Sequence, residues 1–249
     1  MTPEPNPRPD VPLLSIVVPV YDEAARIVTG IETLMEYVDA HAIGTEVIVV
    51  DDGSTDATPT LLAELEARYP AVRGLKLPRN AGKGAAVRAG MAESRGRYRL
   101  FADVDQSTPI AEWERLRDAL DASHDVAIAS REITGAKRVR DRWHRRQMGN
   151  VFRLLRDIFV VEGFIDSQCG FKLFTADAAE TIFARAHLDR FCFDVELLAI
   201  AAHHKLRVIE VPVTWTDDHA SKVNPLTDSV SMLKDLWRIR RFRARGLYD

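Results

Sequence analysis

Short apolar runs recur along the first half of the chain, and each is followed by a polar cluster and then by a segment with helical periodicity. The run over 13–20 is rich in Val and Ile and does not alternate with polar residues, which is typical of a strand buried on both faces. Similar runs occur at 46–50, 72–77, 97–102 and 126–129. Helical periodicity fills the stretches 22–40, 58–68, 84–93 and 110–122. This order predicts an α/β fold with a doubly wound, mostly parallel sheet.

The chain length indicates one principal domain. A chain of 249 residues can bury one substantial core, and we expect that core over 13–226. Residues 1–12 are rich in Pro and lack the apolar stretch of a signal peptide, so they are expected to form a flexible lead. Residues 227–249 are expected to form a basic amphipathic C-terminal helix. No apolar run approaches about 18 residues, so no membrane-spanning helix is predicted.

Composition and cysteine usage narrow the class of protein. The formal net charge is −3, so nothing in the overall charge favours nucleic acid, and no nucleic-acid partner is expected. Cys169 and Cys192 are the only cysteines and lie far apart, which fits a reduced protein better than a disulfide scaffold. They also lack the spacing of a zinc site.

The polar clusters that follow the strands define a candidate ligand site. They occupy 19–23, 51–54, 79–84 and 103–105. Because ligands of such sheets bind outside the carboxyl ends of the strands, we expect the four clusters to share one site. No G-x-G-x-x-G follows the first strand, which argues against a dinucleotide cofactor, and Gly82-Lys83-Gly84 is not a P-loop. A nucleotide with a metal-bound diphosphate fits better.

The most informative cluster is Asp103-Val104-Asp105, which ends the fourth strand. Two carboxylates one residue apart suit a hard divalent cation that also binds a diphosphate, although a lone pair of this kind also occurs at solvated strand ends. We expect Asp103 and Asp105, with Gln106, to hold Mg²⁺ or Mn²⁺.

The motifs together resemble family 2 glycosyltransferases of the GT-A fold. The first half carries this resemblance in the Pro-Val-Tyr-Asp-Glu, Asp-Asp-Gly-Ser, Asn-Ala-Gly-Lys-Gly and Asp-Val-Asp clusters. Three segments of the second half, 166–174, 193–198 and 210–215, with Ser221-Lys222-Val223, are similar to dolichyl-phosphate β-glucosyltransferases and their prokaryotic polyprenyl-phosphate relatives. The resemblance covers roughly 13–245.

The resemblance implies an inverting enzyme that transfers glucose from UDP-glucose to a polyprenyl phosphate. The implied donor-binding residues are Pro19, Tyr21, Glu23, Asp51, Asp52, Gly82, Lys83 and Asp103. Among these, Glu23, Asp51 and Asp52 are expected to hold the uridine. Arg131, as a forked donor, and Lys172, as a point charge, are candidates for phosphate contacts. Asp166 and Asp194 are the further acids of interest, as structural or capping groups or as bases.

Two basic segments raise the possibility of an anionic membrane surface as partner. The run 131–156 is rich in Lys and Arg and contains two acids, Glu132 and Asp141. It overlaps a predicted amphipathic helix over 148–161, and the tail interleaves arginines with Leu233, Trp237 and Phe242. Either segment could instead pack against the domain with a solvated back. The membrane interpretation implies a cytoplasmic protein that is peripheral on the cytoplasmic membrane face.

Other functions remain compatible with these patterns. A transferase of the same fold could use a sugar or small-molecule hydroxyl, which would require a general base such as Asp194 or Asp166, or could use GDP-mannose as donor. A non-catalytic nucleotide-sugar binding module or a nucleotidyltransferase is a further alternative. A nucleotidyltransferase usually has a Gly-rich basic loop after its first strand, whereas this chain has Pro-Val-Tyr-Asp-Glu there.

Overall fold

Strands and helices alternate through the computed structural model, which describes residues 11–139, 163–190, 192–216 and 225–249, with the backbone alone for 225–232. The strands are β1 (Leu14–Val20), β2 (Thr45–Asp51), β3 (Val72–Lys76), β4 (Tyr98–Ala102), β5 (Val126–Ser130), β6 (Lys137–Val139), β7 (Phe171–Thr175), β8 (Val208–Pro212) and β9 (Thr214–Thr216). The helices are α1 (Ile27–Ala40), α2 (Thr58–Arg68), α3 (Lys83–Glu93), α4 (Trp113–Asp121), α5 (Ala176–Phe183), α6 (Phe193–His203) and α7 (Pro225–Ala244).

The main sheet has seven strands in the order β3-β2-β1-β4-β7-β5-β8. All neighbouring pairs are parallel except those of β7, which runs antiparallel to β4 and β5. The short strands β6 and β9 pair in parallel in a second sheet. The predicted α/β fold, with a mostly parallel sheet in a single domain, is therefore confirmed.

Helices cover both faces of the sheet, as the non-alternating strands predict. Along β1, Ile16 and Val18 face the core beneath α1, α2 and α4, whereas Val17 faces the core beneath α3, α5 and α6. Neighbouring β2 repeats this division, with Val47 and Val49 on one side and Ile48 on the other. Burial on both faces is why these strands are apolar throughout.

The first helix begins later than the sequence predicts. Its periodicity suggested a start at Asp22, but α1 begins at Ile27. Asp22 has a positive φ of 49°, which the helical region excludes, and its carboxylate accepts a hydrogen bond from the Thr55 N–H at 2.7 Å. The 22–26 segment is therefore a loop at the carboxyl edge of the sheet, tied to the loop that follows β2.

Sequence periodicity did not predict the strands after β5, and β7 is the one among them that lies in the middle of the main sheet. It lies between β4 and β5, with Phe171 beside Ala102 and Thr175 beside Tyr98. Because it runs antiparallel, its beginning lies where β4 ends, and the Asp103 N–H donates to the Gly170 carbonyl at 3.1 Å. The family-like segment over 166–174 thereby reaches the candidate site.

The C-terminal helix packs against the domain. It begins at Pro225, two residues before the predicted boundary, and its Leu236 and Ile239 are buried with Tyr248 in the core under α6. The predicted helix over 148–161, the segment 221–223 and the N-terminal ten residues lie outside the described residues. None of the described helices has the length and hydrophobicity needed to cross a bilayer.

Candidate functional site

The polar clusters after β2 and β3 meet at the carboxyl edge of the sheet. The two carboxylate oxygens of Asp52 accept hydrogen bonds from the backbone N–H groups of Ala81, at 2.7 Å, and Gly82, at 2.8 Å. Gly82 has a φ of 113°, a conformation that side chains disfavour, which explains the glycine here. Asp52 thus holds the loop that begins α3.

Lys83 connects that loop to the acidic pair after β4. Its ammonium lies 2.7 Å from a carboxylate oxygen of Asp103 and 5.2 Å from the centre of the Phe101 ring. The Lys83 side chain is 26% exposed and that of Asp103 34%, so both ends of the ion pair face the open edge of the sheet. A ligand that approaches this edge meets both charges.

Asp105 and Gln106 provide further oxygen atoms beside Asp103. Burial and the neighbouring charge of Asp103 raise the pKa of Asp105, whereas the Ser107 N–H, 2.9 Å from its carboxylate, opposes that shift. Gln106 has a positive φ of 52°, and its buried side-chain oxygen has no hydrogen-bond partner among the described residues.

These groups fit a divalent cation. Two carboxylates under mutual repulsion and an orphaned amide oxygen are hard ligands of the kind that Mg²⁺ and Mn²⁺ prefer. Within the described ranges, no group of three His, Cys, Asp or Glu side chains could hold a metal ion. A cation here would therefore need further oxygen ligands, from a bound diphosphate or water.

The predicted donor-binding residues at the ends of β1 and β2 make hydrogen bonds within their own loops or lie in or next to the sheet. Asp51 accepts from the Ser54 N–H at 2.8 Å through one oxygen, while its other oxygen is buried with no partner in the part of the chain that the structure describes. The Glu23 carboxylate receives two hydrogen bonds from Arg26, each 2.7 Å long. Pro19 pairs with Val50 inside the sheet, and Tyr21 follows β1 at the same edge.

Arg131 follows β5 and is committed to Asp166. Its guanidinium donates to both carboxylate oxygens at 2.7 and 2.8 Å, and its backbone N–H donates at 2.9 Å. Burial by itself raises the pKa of Asp166, but the charge and hydrogen bonds of Arg131 outweigh it and lower that pKa. The Arg131 side chain remains 24% exposed, so it is only partly covered by its neighbours.

Trp215 joins Arg131 to a second arginine. The guanidinium carbons of Arg131 and Arg138 lie 5.4 and 5.9 Å from the centre of the indole ring. Strand β9, which carries Trp215, is hydrogen-bonded at Thr216 to the carbonyl of Ser107, 2.9 Å away. The pair of arginines therefore lies beside the loop that carries Asp105.

Lys172 and Asp194 form a buried ion pair beneath the site. The Lys172 side chain is 0% exposed, and its ammonium donates to Asp194 and, at 2.7 Å, to the Cys169 carbonyl. Burial raises the pKa of Asp194, and the ammonium groups of Lys172 and Lys83 oppose that shift. Among the described residues, the Lys172 side chain is therefore enclosed, and that of Asp194 is 7% exposed.

The whole-chain comparisons identify the family. A family model described as glycosyl transferase family 2 matches residues 15–183. The chain belongs to glycosyl transferase family 2. It is 38% identical over 240 residues to a dolichyl-phosphate beta-glucosyltransferase of Drosophila melanogaster, covering 91% of this chain and 74% of the relative. The corresponding proteins of Homo sapiens and Saccharomyces cerevisiae are 36% and 34% identical, covering 91% and 94% of this chain and 74% and 76% of the relatives.

Solved structures agree with the fold of this family. Mannosyl-3-phosphoglycerate synthase from Rubrobacter xylanophilus superimposes with a TM-score of 0.68 at 18% identity, covering 94% of this chain and 75% of that one. Glucosyl-3-phosphoglycerate synthase from Mycobacterium tuberculosis, in complex with Mn²⁺, UDP-glucose and phosphoglyceric acid, superimposes with a TM-score of 0.63 at 16% identity, covering 92% and 78%. The chain is thus a glycosyltransferase with the GT-A fold predicted from its sequence.

Several residues of this glycosyltransferase site escaped sequence reasoning. A Cβ atom on Gly170, just before β7, would lie 2.0 Å from a carboxylate oxygen of Asp103, so a side chain there would displace this carboxylate. Arg138 and Trp215 were not singled out as site residues. The glycine lay in a family-like motif that could have drawn attention to it, whereas the contact between Arg138 and Trp215 joins elements far apart in sequence.

Proposed function

We propose that this glycosyltransferase moves glucose from UDP-glucose to a polyprenyl phosphate of the dolichyl type, with inversion at the anomeric carbon. The observation that carries the proposal is the joining of Lys83, Asp103 and Asp105 at the carboxyl edge of the sheet, beside two arginines. The cation site and the lysine suit a diphosphate donor, and the separate pair of arginines suits a second, anionic reactant. The names of the relatives supply glucose and dolichyl phosphate.

The donor would lie across the ends of β1, β2 and β4. The unpartnered buried oxygen of Asp51 is an acceptor for the N–H of a pyrimidine base. Glu23, Pro19 and Tyr21 would border the base and ribose, and Asp52 would act by holding the backbone at Gly82. Lys83 would exchange its contact with Asp103 for the donor phosphates.

Asp103, Asp105 and Gln106 would hold Mg²⁺ or Mn²⁺. When bound, the cation would neutralise the charge of the departing diphosphate. The residues' own contribution is to keep two carboxylates close together in a partly buried site, although burial and the charge of Asp103 raise the pKa of Asp105.

The acceptor phosphate would bind at Arg131 and Arg138. Both guanidiniums contact the indole of Trp215, and the Arg131 side chain is fixed by Asp166. A phosphate monoester has a second pKa near about 6, so at pH 7 it is an anionic nucleophile that requires positioning rather than deprotonation. Its oxygen would form the new bond to the anomeric carbon while the bond to the diphosphate breaks, releasing UDP and leaving a β-linked product.

Lys172 is proposed for a different role from the direct phosphate contact suggested by its sequence position. Because its ammonium is enclosed and paired with Asp194, it would act by joining β7 to α6 beneath the site. The same ion pair counts against Asp194 as general base for a hydroxyl acceptor, because its carboxylate already binds the Lys172 ammonium.

Helix α7 is proposed as the membrane-facing element, which would place the protein peripherally on the cytoplasmic membrane face. Leu233 and Trp237 are 44% and 56% exposed, while Leu236 and Ile239 are buried. The exposed side also carries Lys234, Arg238, Arg240, Arg241, Arg243 and Arg245. An exposed indole among basic residues suits an anionic lipid surface.

The transfer assay offers radiolabelled UDP-glucose, UDP-galactose or GDP-mannose with polyprenyl phosphate and Mn²⁺, followed by organic extraction. We expect label in the organic phase with UDP-glucose and polyprenyl phosphate together, and none when either is omitted. Asp105→Asn is the matched control for enzyme-dependent transfer. Label that enters only with GDP-mannose would overturn the donor, and absence of lipid-linked label with all three donors would overturn the acceptor.

A further inference from the structure

The carboxylate of Glu196, on α6, is fully buried and forms hydrogen bonds to the backbone of the loop that precedes this helix. One oxygen accepts hydrogen bonds from the backbone N–H groups of His187, at 2.9 Å, and Leu188, at 2.7 Å. The other oxygen accepts from the hydroxyl of Tyr248 at 2.9 Å. None of these three donors is cationic, so the position of the carboxylate depends on hydrogen-bond geometry.

The loop held by Glu196 packs directly on the beginning of α3. The Ala85 N–H donates to the Asp189 carbonyl at 3.2 Å, and the Asp189 carboxylate pairs with Arg88 at 2.6 Å. A Cβ atom on Gly82 would lie 2.4 Å from the Asp189 carbonyl oxygen, and one on Gly84 would lie 2.5 Å from that of Leu188. Two glycines permit an approach that no other residue would allow.

The loop that carries Lys83 is therefore held from two sides. Asp52 binds the N–H groups of Ala81 and Gly82, and the segment 187–189 lies against Gly82 and Gly84. Between these supports, Lys83 reaches Asp103 at 2.7 Å. A displacement of the segment 187–189 would be transmitted to the Lys83 backbone, because little space separates this segment from the loop that carries Lys83.

Tyr248 links this support to the C-terminal segment. Its side chain is 0% exposed, and its ring lies 6.3 Å from those of His187 and Phe242. Its carbonyl is 2.7 Å from the imidazole of His204, at the end of α6. The tyrosine is thus fixed at both its hydroxyl and its backbone.

We infer that Tyr248 and Glu196 are positioning residues for Lys83, and that the C-terminal segment thereby sets the affinity of the enzyme for its nucleotide diphosphate. The inference rests on the proposed donor site. It adds that high affinity for the diphosphate requires the correct placement of residues more than 100 positions from Lys83 in sequence.

The test compares Tyr248→Phe with Tyr37→Phe. Tyr37 donates to the Glu114 carboxylate at 2.7 Å, so the control removes the same kind of hydrogen bond between α1 and α4. Tyr248→Phe should weaken UDP binding in Mn²⁺, measured by calorimetry, and raise the KM for UDP-glucose by about fivefold, the equivalent of one hydrogen bond of about 1 kcal/mol. The KM for polyprenyl phosphate and the kcat should stay at the wild-type level. Tyr37→Phe should leave UDP affinity unchanged.

A second pair of variants, at Glu196, separates the effect of its hydrogen-bond geometry from that of its charge. Glu196→Gln keeps an oxygen for the two N–H groups and should retain most UDP affinity, whereas Glu196→Ala should lose more than Tyr248→Phe. Amide exchange should rise at 81–85 and 187–189 in Tyr248→Phe but not in Tyr37→Phe. Equal UDP affinity in Tyr248→Phe and wild type, or equal losses in both Phe variants, would overturn the inference. Wild-type protein that binds no UDP would instead overturn the proposed donor site.

Discussion

At the scale of single residues, the site brings negative charges together, and this arrangement destabilises the fold. Asp103 and Asp105 repel each other, and burial adds to the cost of ionising Asp105. Lys83 offsets part of this charge through its contact with Asp103. Unfavourable charge that is kept in a partly open site is typical of a group that acts on a ligand.

Asp105→Asn should therefore separate activity from stability. Loss of one anionic ligand should lower transfer by about 10²–10³-fold, the range for removing one electrostatic contribution to a transition state. The melting temperature should be at least that of the wild type, because the substitution removes a repelled charge. Chelation with EDTA should abolish wild-type transfer. Full activity of the wild type in EDTA would contradict the metal site.

Asp166 should behave in the opposite way, because its charge stabilises the fold. Its pKa is lowered from 3.8, so its contribution is complete well above that value and is lost as the pH falls through the lowered pKa. Asp166→Asn should lower the free energy of unfolding at pH 7 by roughly 3 kcal/mol. In denaturant titrations, the difference from wild type should shrink as the pH falls below 3.8.

The exposed pair Asp125–Arg207 is the matched control for that experiment. The hydrogen bond from Arg207 lowers the pKa of Asp125 as well, but solvent screens this pair, whose side chains are 26% and 58% exposed. Asp125→Asn should produce a much smaller change in the free energy of unfolding. Equal effects of the two substitutions would show that burial of Asp166 does not strengthen its pair.

At the scale of elements, the residues of α7 contribute both to the buried core and to the exposed surface. Its aromatic and basic residues suggested either membrane binding or packing, and the structure divides them between two faces. Leu236 and Ile239 complete the core against α6, while Trp237 and the arginines remain exposed. Deleting the tail would therefore remove core residues together with the exposed ones, so point substitutions are the cleaner test.

The double variant Arg240→Glu/Arg241→Glu should weaken binding to anionic liposomes without lowering the melting temperature. Each basic residue near such a surface contributes about 1 kcal/mol, and reversing two charges should shift most protein to the supernatant of a sedimentation assay. High salt should weaken wild-type binding in the same way.

Leu236→Ala is the control for this assay. It should lower the free energy of unfolding by about 2–5 kcal/mol while leaving the liposome-bound fraction of folded protein unchanged. If the charge-reversed variant sediments as the wild type does, α7 is not the membrane-binding surface.

At the scale of the whole molecule, the acceptor chemistry follows from which charges are open and which are enclosed. Arg131 is partly exposed beside Trp215, whereas Lys172 and Asp194 are paired and buried between β7 and α6. Removing one member of the buried pair would leave an uncompensated buried charge. Replacing both with apolar residues of similar size is often tolerated.

The double variant Lys172→Met/Asp194→Leu should therefore retain transfer to polyprenyl phosphate, whereas Arg131→Ala should lose most of it. The wild-type rate should rise with pH through about 6, the second pKa of the acceptor, and then level off. The measurement is a pH–rate profile of the three proteins at saturating metal. A double variant that folds but has no activity, with Arg131→Ala still active, would favour a base acting on a hydroxyl.

The sequence by itself determined the α/β class, the order of the first five main-sheet strands along the chain and the polar residues at their ends. These features follow from local periodicity, because a strand buried on both faces must be apolar throughout, and because a parallel sheet brings its carboxyl ends to one edge. Local patterns were less informative at the start of α1, where the loop contacts of Asp22 override helical periodicity.

Only the tertiary structure decided the insertion of β7 between β4 and β5, the enclosure of Lys172 and the support of Lys83 by Glu196 and Tyr248. Each depends on residues far apart in the chain: 22 positions separate Lys172 from Asp194, and 52 separate Glu196 from Tyr248. Periodicity reports which face of an element is apolar, but it carries no information about which distant element will cover that face. The burial of Lys172 is an example, because its enclosure depends on the packing of α6 over β7.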